Sequence, residues 1–73
     1  MNHQRVQSAE DIGTIIQQLR KRAGLRQEDM AALVDRSHVN LRDVERGKPT
    51  VAIGTVLRLL DELGVRVYLD IPT

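Results

Sequence analysis

The feature that most constrains this chain is the stretch SHVNLRDVERGKPT, residues 37–50. It reads as a short helix, bounded in front by the break Asp35-Arg36-Ser37 and behind by Gly47 and Pro49, residue types that stop helices. Ser37 stands where an N-cap belongs. On a helical wheel Leu41, Val44 and the capping Ser37 cluster inward, while Val39, Arg42, Asp43 and Arg46 point away and His38 and Asn40 lie on the flanks. A chain of 73 residues needs all the core it can get. A helix that lends its core only Leu41 and Val44 is therefore either a solvated connector or a surface that reads something.

The rest of the chain supplies the frame. Ser8 and Asp11 have the spacing of a capping box. Behind them Ile12, Ile15, Ile16 and Leu19 recur at helical spacing as far as Gly24, with Arg20, Lys21 and Arg22 in the last turn, where the dipole favours cations. A second helix is expected over roughly 27–34, with Met30, Ala31, Leu33 and Val34 as its inner face. The fourth holds Ile53, Val56, Leu57, Leu59, Leu60 and Leu63, an apolar face wider than a small surface helix needs, and ends at Gly64. The tail then alternates: Val65, Val67, Leu69 and Ile71 on one side, Arg66, Tyr68 and Asp70 on the other. Period two means a half-buried strand.

No other segment reads as a strand, and a lone strand leaves its backbone groups unpaired. The simplest partner is the same strand of a second copy, antiparallel across a two-fold axis. The expected architecture is mainly α: a bundle of four to five helices with one C-terminal β-strand pairing across a homodimer through Leu59, Leu63, Val65, Val67, Leu69 and Ile71. Residues 1–7 are expected to be a flexible N-terminus, 8–64 the helical domain and 65–73 the dimerisation strand.

Composition narrows the function. Residues 20–48 hold eight Lys/Arg (20, 21, 22, 26, 36, 42, 46, 48) against five acids (28, 29, 35, 43, 45), net +3, and the remainder is net −2. A basic middle between acidic ends is the footprint of an anionic partner. One tyrosine and no other aromatic side chain argue against base-stacking platforms and a deep aromatic pocket. With no cysteine there is no disulfide frame or thiolate metal site, and His3 and His38 form no metal cluster. Ser8 and Ser37 are accounted for as caps, and no glycine-rich phosphate loop occurs, so neither an enzyme nor a bound cofactor is expected. The opening MNHQRVQSAE lacks the apolar run of a signal peptide, and no stretch approaches membrane-spanning length. A cytoplasmic protein is expected.

Helix, short turn, helix, with basic residues nearby, is the layout whose second helix lies in a DNA major groove. In that setting an exposed Val39 suits a thymine methyl, Arg42 suits a guanine edge, and Asn40 or His38 can meet a base edge or a phosphate. Arg46 and Lys48 flank the helix as phosphate contacts. Each has a plainer reading. Residues 20–26 can be a solvated helix end, His38 an exposed polar residue, Asp43 an orienting partner for Arg42 or Arg46, and Tyr68 a piece of dimer surface.

The stretch LRKRAGLRQEDMAALVDRSHVNLRDVERGKPT resembles the phage-repressor (Xre/Cro) helix-turn-helix family, through Leu19, Arg20, Gly24, Leu25, Gln27, Ala31, Ser37, Glu45, Arg46, Gly47 and Pro49. The TVAIGT segment and the LGVRVYLD ending are most similar to HipB-type antitoxin regulators. The resemblance implies that Gln27 and Ser37 hold phosphate, that His38, Val39, Arg42 and Asp43 read bases, and that Arg20 and Glu45 form a structural ion pair. It implies a dimeric repressor on a palindromic operator of double-stranded DNA, partnered by a HipA-like kinase toxin. A stand-alone phage-type repressor, or an interaction module that neutralises a toxin with little DNA binding, are the alternatives. Two departures stand out. The family usually has Gly-Val where this chain has Asp35-Arg36, so Asp35 must take a positive φ and the core loses the inward valine. Arg26 replaces the usual Thr/Ser cap of the second helix, a loss of roughly 1 kcal/mol, although Arg26 can add a phosphate contact.

Overall fold

The computed structural model describes residues 3–73. Among them the chain forms four helices: α1 (Ala9–Arg22), α2 (Gln27–Leu33), α3 (His38–Glu45) and α4 (Ile53–Glu62). Local chemistry accounts for the starts. Ser8 Oγ accepts the N–H of Asp11 at 3.1 Å, and the Asp11 carboxylate accepts the N–H of Gln7 at 2.8 Å. The reciprocal cap thus forms one residue earlier than the usual box. Ser37 Oγ accepts the N–H of Asn40 at 3.1 Å and caps α3.

All four helices stop in the same way. The residue after each C-cap takes a left-handed backbone: Gly24 (φ 74°), Asp35 (φ 56°), Gly47 (φ 77°) and Gly64 (φ 78°). The next N–H then folds back to a carbonyl in the last turn: Leu25 to Arg20 (3.1 Å), Arg36 to Ala31 (2.9 Å), Lys48 to Asp43 (3.0 Å) and Val65 to Leu60 (2.9 Å). Asp35 therefore does the work of the missing glycine between α2 and α3.

The core is Ile16, Met30, Ala31, Val34, Leu41, Val44, Leu59 and Leu60, with Ile12, Leu25, Val51, Val56, Leu63 and Val65 packed around it. All four helices contribute. The backbones of α1 and α3 nearly touch: a Cβ on Gly13 would lie 2.5 Å from the carbonyl oxygens of Val44 and Glu45. Any side chain there would push α3 outward.

Several expectations change. Leu33, assigned to the inner face of α2, is 52% exposed, because it is the last helical residue before the turn bends the chain away. Ser37 is exposed, since its hydroxyl serves the helix end rather than the core. Leu59, assigned to dimerisation, is fully buried inside its own chain and has no surface left to offer. The apolar excess of α4 lies instead on Ile53 and Leu57, 74% and 46% exposed.

No strand is present among the described residues. Val65 packs on the core, but no backbone hydrogen bond to another described residue engages residues 66–73, and Val67, Leu69 and Ile71 stand exposed. A strand needs a neighbour on its edge, and no other described segment is a strand. Of the N-terminal segment expected over 1–7, residues 1 and 2 lie outside the described residues; the His3 ring lies tilted against that of Tyr68, with centroids 5.9 Å apart.

Candidate nucleic-acid interface

The helix-turn-helix unit is α2, the turn at 34–37 and α3. Its rigidity comes from one buried carboxylate. Glu45, its side chain 1% exposed, receives Arg20 Nε on Oε2 at 2.6 Å and Arg20 Nη2 on Oε1 at 3.0 Å. Gln27 Nε2 donates to the same Oε1 at 3.1 Å, and Arg20 Nη1 donates to the Leu25 carbonyl at 2.8 Å. One anion thus ties α1, the α1–α2 link, α2 and α3 together. The bidentate hydrogen bond to Glu45 holds Arg20 still more firmly in its charged form, against the opposing effect of burial.

This latch changes the reading of Gln27. Its amide nitrogen, the group a phosphate would need, is turned inward to Glu45. In this arrangement one amide N–H of Gln27 braces α2 against α3, and the second N–H of the same nitrogen is the donor left for a phosphate. Arg26 is also engaged: its Nε and Nη2 reach the Asp29 carboxylate at 3.2 Å each, and Nη1 lies 3.7 Å from Glu28. A guanidinium has no acceptor with which to cap a helix. Asp29 substitutes by taking the backbone N–H of Arg26 at 3.0 Å. The Arg26 side chain, then its backbone N–H, hold the Asp29 carboxyl below the usual carboxylate range.

The outer face of α3 is open. His38, Val39, Arg42 and Arg46 are exposed, Val39 by 43% despite being apolar. Leu41, Val44 and Glu45 occupy the opposite face, so the helix is seated without using its outer side chains. Asp43 is half-buried and lies 3.6 Å from Lys48 Nζ, rather than against Arg42 or Arg46. That ion pair folds Lys48 back along the end of α3 and neutralises the one acid among the candidate base readers. Asn40 is half-buried, with its side-chain oxygen hidden and without a partner. Its amide nitrogen is the group left to meet an anion. Lys21 and Arg22, beyond the buried Arg20, remain exposed at the end of α1.

A further contact, not visible in the sequence, crosses from the turn to α4. Arg36 Nε donates to Thr55 Oγ1 at 3.3 Å, and Arg36 Nη1 donates to the Asp35 carbonyl at 3.1 Å. Thr55 is 7% exposed in the first turn of α4. Arg36 thus replaces the lost apolar contact with a polar one. Nothing in residue spacing signals it, because the two positions lie on separate elements. Asp29 was more accessible: an acid three residues after a cap position is a known reciprocal acceptor.

A family model described as a helix-turn-helix domain matches residues 11–67. The uncharacterized HTH-type transcriptional regulator y4mF of Sinorhizobium fredii is 35% identical over 68 residues, covering 93% of this chain and 90% of the relative. Two solved structures share the fold. The HipA-HipB-O2-O3 complex contains a chain that superposes with a TM-score of 0.84 at 15% identity, covering 97% of this chain and 100% of that one. The HipB-O4 20mer complex gives a TM-score of 0.83 at 15% identity, with the same coverage. At such identity the likeness is one of fold. No helix among the described residues is long and apolar enough to cross a membrane. The chain belongs to the helix-turn-helix domain family of DNA-binding transcriptional regulators.

Proposed function

We propose that the protein is a sequence-specific transcriptional repressor that binds a palindromic operator as a homodimer, represses its own operon in the cytoplasm and acts as the antitoxin of a HipA-like kinase toxin. The observation that carries the DNA-reading part is the outer face of α3, where Val39 and Arg42 are exposed on a helix anchored entirely by its other side. Arg42 suits the O6/N7 edge of guanine and Val39 the methyl of thymine, with His38 beside them. Asp43, paired with Lys48, is the weakest base reader of the set. Ser37, Asn40 and Arg46 are the phosphate contacts, with Arg26, Gln27 and Lys48 secondary because each already engages a carboxylate within the chain.

The dimer rests on what a single chain leaves uncovered. The exposed Ile53 and Leu57 of α4 and the unpaired alternating tail, Val67, Leu69 and Ile71, are apolar surface that a second copy would bury, together with the half-buried Leu63 and Val65. In such a dimer the two α3 helices would enter successive major grooves, about 34–36 Å apart. The antitoxin role is supported by the resemblance of the TVAIGT and LGVRVYLD segments and by the shared fold with HipB.

A gel shift against the DNA upstream of its own gene, with and without the neighbouring gene product, tests the whole reading. A shifted complex that the neighbouring product supershifts is expected. A shift with no response to that product would leave a stand-alone repressor, and capture of the product without any DNA shift would leave an interaction module.

A further inference from the structure

The surface of the reading helix says what it touches, but not how its distance from the two-fold axis is set. In a single chain α3 is about 12 Å long, and its two ends are tied to α4 differently. At its C-terminal end the link to α4 is covalent, through residues 46–52, while Gly47 packs on the backbone of Glu10 in α1, where an added Cβ would come within 2.6 Å. At its N-terminal end, beside the core that Val34 and Leu41 share with Leu59 and Leu60, the polar tie is the side chain of Arg36, two residues before His38, which reaches Thr55 Oγ1 at 3.3 Å.

The first turn of α4 offers few alternatives. Its N-cap, Ala52, has no side chain able to cap, and Ile53 and Gly54 are exposed. Thr55 is the polar side chain of that turn, buried at 7% exposure, and its hydroxyl meets the guanidinium. The same guanidinium donates from Nη1 to the Asp35 carbonyl of the turn at 3.1 Å. It therefore bridges the left-handed turn and α4, with one hydrogen bond to each.

We propose that Arg36 is a positioning residue which, through Thr55, fixes the tilt of α3 relative to α4 and thereby the half-site spacing that the dimer accepts. This rests on the dimeric operator reading above. Arg36 reads no base; it sets how far apart, and at what rotation, the two reading faces are presented. Because one base pair of spacing also rotates the second half-site by about 34–36°, loosening one end of α3 relaxes the spacing requirement before it alters the bases chosen.

The test is selection of bound duplexes from a random-sequence DNA library by the full chain and by the variants R36A, T55V, R36K and T55S, each first verified as folded by its circular-dichroism melt. The wild type is expected to select a palindrome of one spacing. R36A and T55V are expected to select the same half-site bases at two or more spacings, and the preference for the wild-type spacing over one shifted by a base pair falls from about tenfold to about twofold. R36K and T55S, which restore a donor and an acceptor, are expected to recover a single spacing. T55V leaves the turn untouched, so it keeps the test decisive if R36A does not fold. A single wild-type spacing selected by T55V or R36A overturns the proposal, as does a change in half-site bases at constant spacing, which would make Arg36 a DNA contact. Selection of no palindrome by the wild type would instead remove the dimeric reading.

Discussion

The body made by α1, α2 and α3 and the unit made by α4 with the tail are held by different physics. In the first, polar groups are satisfied inside the chain: Glu45 accepts three hydrogen bonds from Arg20 and Gln27, and Gly13 lets the α1 and α3 backbones meet. In the second, Leu59 and Leu60 dock α4, but Ile53, Leu57 and the tail residues Val67, Leu69 and Ile71 remain exposed. The body closes its polar groups on itself; the α4–tail unit presents apolar surface and alternating residues that no described strand pairs. Specificity and assembly are therefore separable. A change in the latch of the body alters whether α3 is held at all, whereas a change in the second unit, in the dimer proposed above, would alter how two copies present it.

The largest expected effect breaks the body. Glu45→Ala leaves the Arg20 guanidinium buried without its counter-charge and strips Gln27 of its acceptor, a loss of about 3–5 kcal/mol. A domain of this length has a total stability of roughly 4–11 kcal/mol. Urea or thermal unfolding should find the variant largely unfolded near physiological temperature; a melt within a few degrees of wild type would show that the latch is dispensable.

Removing residues 65–73 attacks the other unit. The truncated chain is expected to keep its helical circular-dichroism signal, sediment as a monomer and lose operator affinity by at least about a hundredfold, some 2.7 kcal/mol. An intact dimer in the ultracentrifuge would remove the strand-pairing argument and leave Ile53 and Leu57 as the assembly surface.

Arg42→Ala should leave both units intact. Operator affinity is expected to fall by about 1–3 kcal/mol, with relaxed preference at one base position. Binding of every single-base operator variant with the wild-type ranking would assign Arg42 to the backbone instead.

The smallest effect is Asp29→Asn at the exposed start of α2. Because the Arg26 guanidinium and backbone N–H depress the Asp29 pKa in the folded state, its stabilisation is present above the unfolded value of about 3.9 and disappears as pH falls through the lower folded value. The wild type should melt slightly above Asp29→Asn at neutral pH, and the two curves should converge in strong acid. A constant gap down to the lowest pH would mean that the charge is not what stabilises the helix start.

Much of this fold is legible in the sequence because its signals are local. Ser8 and Ser37 cap where their spacing says, the apolar positions of α1 and α3 fall on the predicted faces, and even the non-glycine turn follows from what Asp35 tolerates. The outer face of α3 was readable for the same reason: Val39 and Arg42 point outward because Leu41 and Val44 must point inward. Wrong or missing readings concern groups that meet across elements. Residue spacing gives no sign that Glu45, in a different helix, takes one amide N–H of Gln27, the residue that the family resemblance places at phosphate. Leu59 was assigned to a partner, yet its own core encloses it.

By itself, the sequence determined the helix starts and stops, the mainly α class and the polarity of each face, since capping, periodicity and left-handed turns depend on neighbours within a few residues. Only the tertiary structure decided which side chains spend their hydrogen bonds internally. Glu45 gathers Arg20 and Gln27, and Arg36 reaches Thr55, through distances set by how the helices cross. A donor can satisfy a buried acceptor only where packing brings them within about 3 Å, and no linear spacing records that.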